Sequence, residues 1–183
     1  MSMLVFLLEE ASFKEMLTGV LPKLLPGDVN YKCISFEGKS DLEGQLERKI
    51  RNWQGNVKFM VVRDRDGGNC QEQKKRILEK CAGAGRPDTL VRIVCNELES
   101  WYLGDLTAVE NALQISGLTS QQRKRKYRNP DLLTNAQDEL KKITKKKYQK
   151  IKGSRAIGHC MDIEHNMSHS FHVFIEGIKK ILQ

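Results

Sequence analysis

Four short apolar runs, at residues 3–8, 29–36, 57–62 and 90–95, divide the first half of the chain. All are rich in β-branched or aromatic residues. Between them lie stretches with helical periodicity. Residues 12–25 are closed by Pro26 and Gly27, residues 41–53 by Gly55, and residues 71–81 by Gly83 and Gly85. The order β-α-β-α-β-α-β requires right-handed crossovers, and so a largely parallel sheet of about four strands flanked by helices. The nearly unbroken run Phe59-Met60-Val61-Val62 suits a strand covered on both faces. A doubly wound α/β core is expected.

Beyond Cys95 the pattern becomes helical and polar, through 97–103, 106–115, 132–143 and 171–182. The expected organisation is an α/β core over 1–104 and a basic helical extension over 105–183 packed on it as one structural domain. A chain of 183 residues fits that size. The formal charge of +8 is unevenly distributed. Residues 121–152 hold 12 Lys and Arg against 3 acids, whereas residues 1–120 hold 16 against 17. An anionic partner is the natural reading of such a segment. The apolar run at 3–8 is too short for the ~20 residues of a membrane helix, and no basic leader or cleavage site precedes it. Five cysteines without C-x-x-C spacing argue against a disulfide framework or a zinc ribbon. A cytoplasmic protein with reduced thiols is expected.

Acids follow three of the four predicted strands: Glu9 and Glu10, Asp64 and Asp66, and Glu97 and Glu99. In an open parallel sheet, ligands bind outside the carboxyl ends of the strands near a topological switch point, so these acids are expected to converge. Two carboxylates ~4 Å apart repel by roughly 4 kcal/mol at an effective dielectric near 20, so clustering them calls for a proton or a cation. Mg²⁺, or Mn²⁺ in its place, suits an all-oxygen donor set in which waters and substrate phosphates complete the octahedron. Asp64-Arg65-Asp66 alternates as a strand end does and is followed by Gly67-Gly68, where the backbone turns. A D-x-D-G-G alone reads more readily as a solvated acidic turn; its coincidence with acids after two other strands, in a basic chain, reverses that preference toward a metal site.

Leu7-Leu8-Glu9 and Asp64-Arg65-Asp66-Gly67 resemble the signature of Toprim domains, found in topoisomerases, primases and overcoming-lysogenization-defect nucleases, over roughly residues 1–96. Four blocks, Glu37 to Leu42, Arg63 to Asp66, Glu97 to Leu103 and Gly153 to Gly158, more closely resemble a bacterial Toprim-like family spanning the whole chain. The resemblance implies a Toprim-like fold, with Glu9, Asp64 and Asp66 as catalytic metal ligands and Glu97 and Glu99 as a further metal-site pair that holds a second ion or supports the first from outside. It also implies an ABC-type or AAA-type ATPase partner in anti-phage defence. Toprim domains usually carry Gly after the glutamate; here Glu10 stands there, narrowing or recharging the entrance.

Lys39 and Arg155 are candidates to neutralise charge on a transferring phosphate, with Arg155 flanked by Gly153, Ser154 and Gly158 as in a phosphate-approaching loop. Arg123, Lys124, Arg125, Lys126 and Arg128, with Lys145, Lys146, Lys147, Lys150 and Lys152, are the candidate nucleic-acid contacts, and Tyr127 and Tyr148 offer faces for unstacked bases. His165, His169 and His172 look more like a loop entering the last helix than a zinc set. The expected activity is Mg²⁺- or Mn²⁺-dependent hydrolysis of DNA or RNA. The alternatives are a non-catalytic Toprim-fold subunit of an ATPase complex and an RNA-maturation endonuclease.

Overall fold

The computed structural model describes residues 3–65 and 67–182. Asp66, one of the expected metal ligands, lies outside the described residues. Strands β1 (Met3–Leu8), β2 (Asn30–Ser35), β3 (Val57–Asp64) and β4 (Leu90–Val94) alternate with helices α1 (Ala11–Leu24), α2 (Lys39–Arg51) and α3 (Cys70–Gly83). They form a four-stranded, all-parallel sheet of order β2-β1-β3-β4. This is an α/β fold with a Rossmann-like arrangement.

Alternation along the strands divides the side chains between two cores. Val5 and Leu7 of β1, with Phe59 and Val61 of β3, face α2 and α3. Leu4, Phe6 and Leu8, with Met60 and Val62, face α1 together with the second half of the chain. There the helices are α4 (Glu99–Leu103), α5 (Leu106–Leu113), α6 (Arg125–Arg128), α7 (Ala136–Ile143), α8 (Lys150–Cys160) and α9 (His169–Leu182). Trp101 of α4, Ile157 of α8 and Phe174 of α9 share one core with α1 and the sheet. The extension therefore covers the part of that face that α1 alone leaves open.

Local chemistry sets the ends of these elements. β4 stops at Val94 because Asn96 takes a left-handed φ of 65°, its side chain held between Arg65 and the Asp131 carbonyl. The helix expected over 132–143 is broken: Pro130–Leu132 forms a 3₁₀ turn and α7 begins only at Ala136. Ser168 accepts from the Phe171 N–H and starts α9 earlier than expected, at His169. Tyr127 and Tyr148, expected to display faces to bases, are buried. Their hydroxyls donate to Glu139 and Glu99, so the polar tips are satisfied while the rings fill the core.

Helices α1 and α8 meet backbone to backbone. A Cβ on Gly19 would lie 2.2 Å from the His159 nitrogen, and one on Gly158 would lie 2.3 Å from the Met16 carbonyl oxygen. The two glycines let the backbones touch. The Lys23 ammonium then caps the end of α8 by donating to the carbonyls of Gly158, His159 and Met161. Gly153 lies against the Tyr148 ring, which stands 2.6 Å from where a Cβ would be. This corrects the reading of 153–158 as a phosphate loop: the segment is the body of α8, and its glycines serve helix packing.

Candidate active site

The connection from β1 runs to β2 on one side, and β2 then crosses to β3 on the other, so the strand order reverses between β1 and β3. In such a sheet, ligands bind outside the carboxyl ends of the two strands between which the order reverses. Glu9 directly follows β1 and Asp64 is the last residue of β3. The Asp64 backbone N–H donates to Glu9 Oε2 over 2.9 Å, and the two residues are only 9% and 8% exposed.

Arg63 fixes this arrangement from beneath. Its buried guanidinium stands 3.7 Å from Glu9 Oε2 and bonds Glu43 of α2 at 2.6 Å, and Arg76 closes on Glu43 from outside. Burial works against ionisation of Glu43, yet its contacts to the two guanidiniums hold the carboxyl below its ordinary range. Neither Arg63 nor Glu43 was singled out from the sequence. The available signal was a charged residue directly after the apolar run Phe59 to Val62, which demands a partner if the strand runs on through it.

The second half of the chain brings the remaining groups. Glu99 of α4 is 1% exposed and accepts from the Tyr148 hydroxyl at 2.9 Å and the Gln137 amide at 3.2 Å. Burial raises its pKa despite those bonds. Lys150, at the start of α8, pairs with Glu10 at 2.7 Å, and Ser12 donates to the other Glu10 oxygen. Burial lowers the Lys150 pKa, but the bond to Glu10 and the charges of Glu99 and Asp64 outweigh it and raise the pKa overall. Tyr148 and the fully buried Tyr102 are pushed up by burial and by these acids, so both hydroxyls stay protonated.

Asp64 is the group least satisfied by the protein. Its Oδ1 is buried without a hydrogen-bonding partner among the described residues. Burial first, then the charges of Glu9, Glu99 and Glu10, push its pKa well above the ordinary value, with Lys150 opposing them. Raised folded-state values mean that the contribution of Asp64 and Glu99 to stability is complete below the ordinary carboxylate range and is lost as pH rises through the folded-state values. In a chelator, thermal melts should therefore show these two groups lowering stability from about pH 4 upward. Replacing Asp64 by Asn should flatten that slope, and an unaltered slope would contradict the account.

Of the other expected site residues, Lys39 follows a residue bonded to Glu9, and the rest lie elsewhere or act otherwise. Arg155 is on the exposed side of α8, bonded to Glu15 of α1. Glu97 accepts the backbone N–H of Gln137 and so caps α7. Lys39 is exposed at the first turn of α2, after Gly38, whose N–H donates to the Glu9 carbonyl. Lys126 is paired with Glu139, whereas Lys150, expected only as a backbone contact, belongs to the acid cluster. His165 is paired with Asp162, and all five cysteines are free.

Among the described residues, no group of three or more His, Cys, Asp or Glu is arranged to hold a metal ion. One or two carboxylates suffice for Mg²⁺, which keeps several waters. The unpaired buried Oδ1 of Asp64 beside Glu9 fits such an ion, and Asp64 with Glu9 would hold it.

The profile of the family described as domain of unknown function DUF4276 matches residues 8–179, almost the entire chain. The chain belongs to the DUF4276 family. The match runs from the end of β1 into α9, so the acid cluster and the helices that complete it both fall inside the DUF4276 unit. No curated protein and no solved structure matches the chain. Among the described residues, no helix is long and apolar enough to cross a membrane.

Proposed function

We propose that this DUF4276 protein is a Mg²⁺- or Mn²⁺-dependent, Toprim-like hydrolase of phosphodiester bonds in DNA or RNA. The observation that carries this reading is the buried Oδ1 of Asp64, unpartnered among the described residues, beside Glu9 and Glu99 at the switch point of the sheet. Glu9 and Asp64 would hold the ion, with Asp66 joining them on the strength of the sequence resemblance. A bound divalent ion supplies a water of lowered pKa and polarises the phosphate.

The protein's own groups do the positioning. Arg63 and the Asp64 N–H fix Glu9 at the carboxyl end of β1. Tyr148 and Gln137 hold Glu99. Lys150, raised in pKa and half-exposed, is the cation placed to meet a phosphate oxygen beside these acids. Arg155, turned toward Glu15, is not asked to do so. Cytoplasmic action in anti-phage defence with an ATPase partner is part of the proposal and rests on the sequence resemblance.

Cleavage of end-labelled DNA and RNA with Mg²⁺ or Mn²⁺ tests the reading. Glu9→Gln should abolish cleavage. Arg155→Ala should leave it within about twofold and change stability little, as loss of an exposed ion pair does. Cleavage that survives Glu9→Gln, or that is lost with Arg155→Ala in a folded protein, would contradict the assignment.

The Glu10–Lys150 pair favours a second reading, a Toprim-fold subunit that cleaves nothing by itself. Lys150 already brings one positive charge to the acids, and an ATPase partner would then have to draw it away before an ion could enter. Cleavage only in the partner's presence supports this reading; cleavage of structured RNA by the protein alone supports an RNA-maturation role.

A further inference from the structure

The basic residues of the extension fall on two different faces. Arg125 and Lys126 border a groove with Asn129, Leu132 and Leu133, and Lys126 is paired with Glu139 over the Tyr127 ring. Lys141, Lys142 and Lys146 line a separate groove of about 530 Å³ together with Asp138 and Tyr148. Tyr148 belongs to both that groove and the acid cluster, since its hydroxyl donates to Glu99. Two residues further on, Lys150 stands at the same cluster. The lysine groove therefore opens beside the acids, and the Arg125 groove does not share a residue with them.

The lysine groove is costly as a purely structural feature. No Asp or Glu occurs between Glu139 and Asp162. Among the described residues, Lys142, Lys145 and Lys146 have no acid within ion-pair distance, and Lys141 reaches only the Gln137 amide. Like charges so close in sequence repel. Lys145 and Lys146 moreover hold consecutive left-handed φ values of 50° and 64°, a conformation that side-chain-bearing residues adopt at a cost. A polyanion lying along these amines relieves the repulsion. The Tyr127 ring is buried and Tyr148, which lines the groove, is only 4% exposed, so the groove presents mainly ammonium groups, with Asp138 beside them, and suits phosphates better than unstacked bases.

We propose that the groove of Lys141, Lys142 and Lys146 carries the phosphate backbone of a nucleic acid to the acid site, and that the stretch from Arg123 to Arg128 takes no part. The direction of travel rests on the reading of the acid cluster as a phosphodiester site; the groove as a backbone-binding surface does not.

Binding of fluorescent DNA and RNA should be measured by anisotropy in a chelator, so that cleavage cannot interfere. The triple variant Lys141→Glu, Lys142→Glu, Lys146→Glu should bind at least about tenfold more weakly near 0.1 M salt, and the slope of log K against log salt should shrink by about 2 to 3. The loss should be similar across sequences. The matching triple change to Gln should lose binding in the same order and decides the case if the Glu variant fails to fold. Arg123→Glu, Lys124→Glu, Arg125→Glu should bind within about twofold of wild type. Groove variants that bind normally, or an Arg123–Arg125 variant that loses as much, would overturn the proposal. Wild type that binds as expected but never cleaves with Mg²⁺ or Mn²⁺ leaves the groove standing and sinks the hydrolase reading. Cleavage that persists unchanged in the groove variants does the reverse.

Discussion

Asp64→Asn, a neutral near-isostere, is expected to lower cleavage at least about a thousandfold, the loss of the several kcal/mol that a bound ion contributes to the transition state. The same change should raise the melting temperature of the metal-free protein. The two effects have one cause. Asp64 is buried, its Oδ1 has no partner among the described residues, and Glu9, Glu99 and Glu10 add repulsion to the cost of burial. An amide in its place removes the charge that destabilises the empty site and, with it, the charge that attracts an ion. A domain of this size gains about 2–4 °C for each kcal/mol recovered. Melts in a chelator and cleavage assays on the same preparations read both effects. A variant that melts lower and cleaves normally would mean that Asp64 serves the fold and not the chemistry.

Gly158→Ala should be nearly as damaging by a different route. The added methyl group meets the Met16 carbonyl oxygen at 2.3 Å and the Met16 carbonyl carbon at 2.9 Å, and neither can swing aside as a side-chain tip would. Gly19→Ala meets the backbone of His159 in the same way. Overpacking of this kind costs about 3 kcal/mol or more, corresponding to a fall of roughly 6–12 °C. Separating α1 from α8 also pulls the carbonyls of Gly158, His159 and Met161 from Lys23, and at the other end of α8 it moves Lys150 from Glu10. Activity should therefore fall even below the melting temperature. Gly44→Ala is the control, because a Cβ there meets nothing within 4 Å. It should be neutral or stabilise the helix by up to about 1 kcal/mol. Equal effects at Gly44 and Gly158 would show that the α1–α8 contact does not hold the site together.

The strands and the first three helices were legible because burial on two faces writes apolar runs, and burial on one face writes a 3.6-residue period. Glu9 and Asp64 were legible for a related reason: in a parallel sheet with a reversal of strand order, acids just past the strands have one place to meet. Glu97 and Glu99 were not separable in the sequence, since either acid suits a helix start. Only the packing of α7 sends one to a backbone N–H and the other into the cluster. Gly153 to Gly158 misled because glycine suits both a phosphate-binding turn and a close helix crossing. Lys150 looked like any other lysine in a basic tract, and its place beside the acids depends on how α8 crosses α1. Arg63 and Glu43 belong to different elements, so their pairing emerges only when α2 lies against the sheet.

Calorimetric titration of the purified protein with Mg²⁺ and Mn²⁺, wild type beside Asp64→Asn, tests the central claim most directly. Saturable binding in the wild type that disappears in the variant is the predicted result. Binding that is unchanged by the substitution, or no binding in the wild type even with nucleic acid present, would contradict the claim that this acid cluster is an ion site.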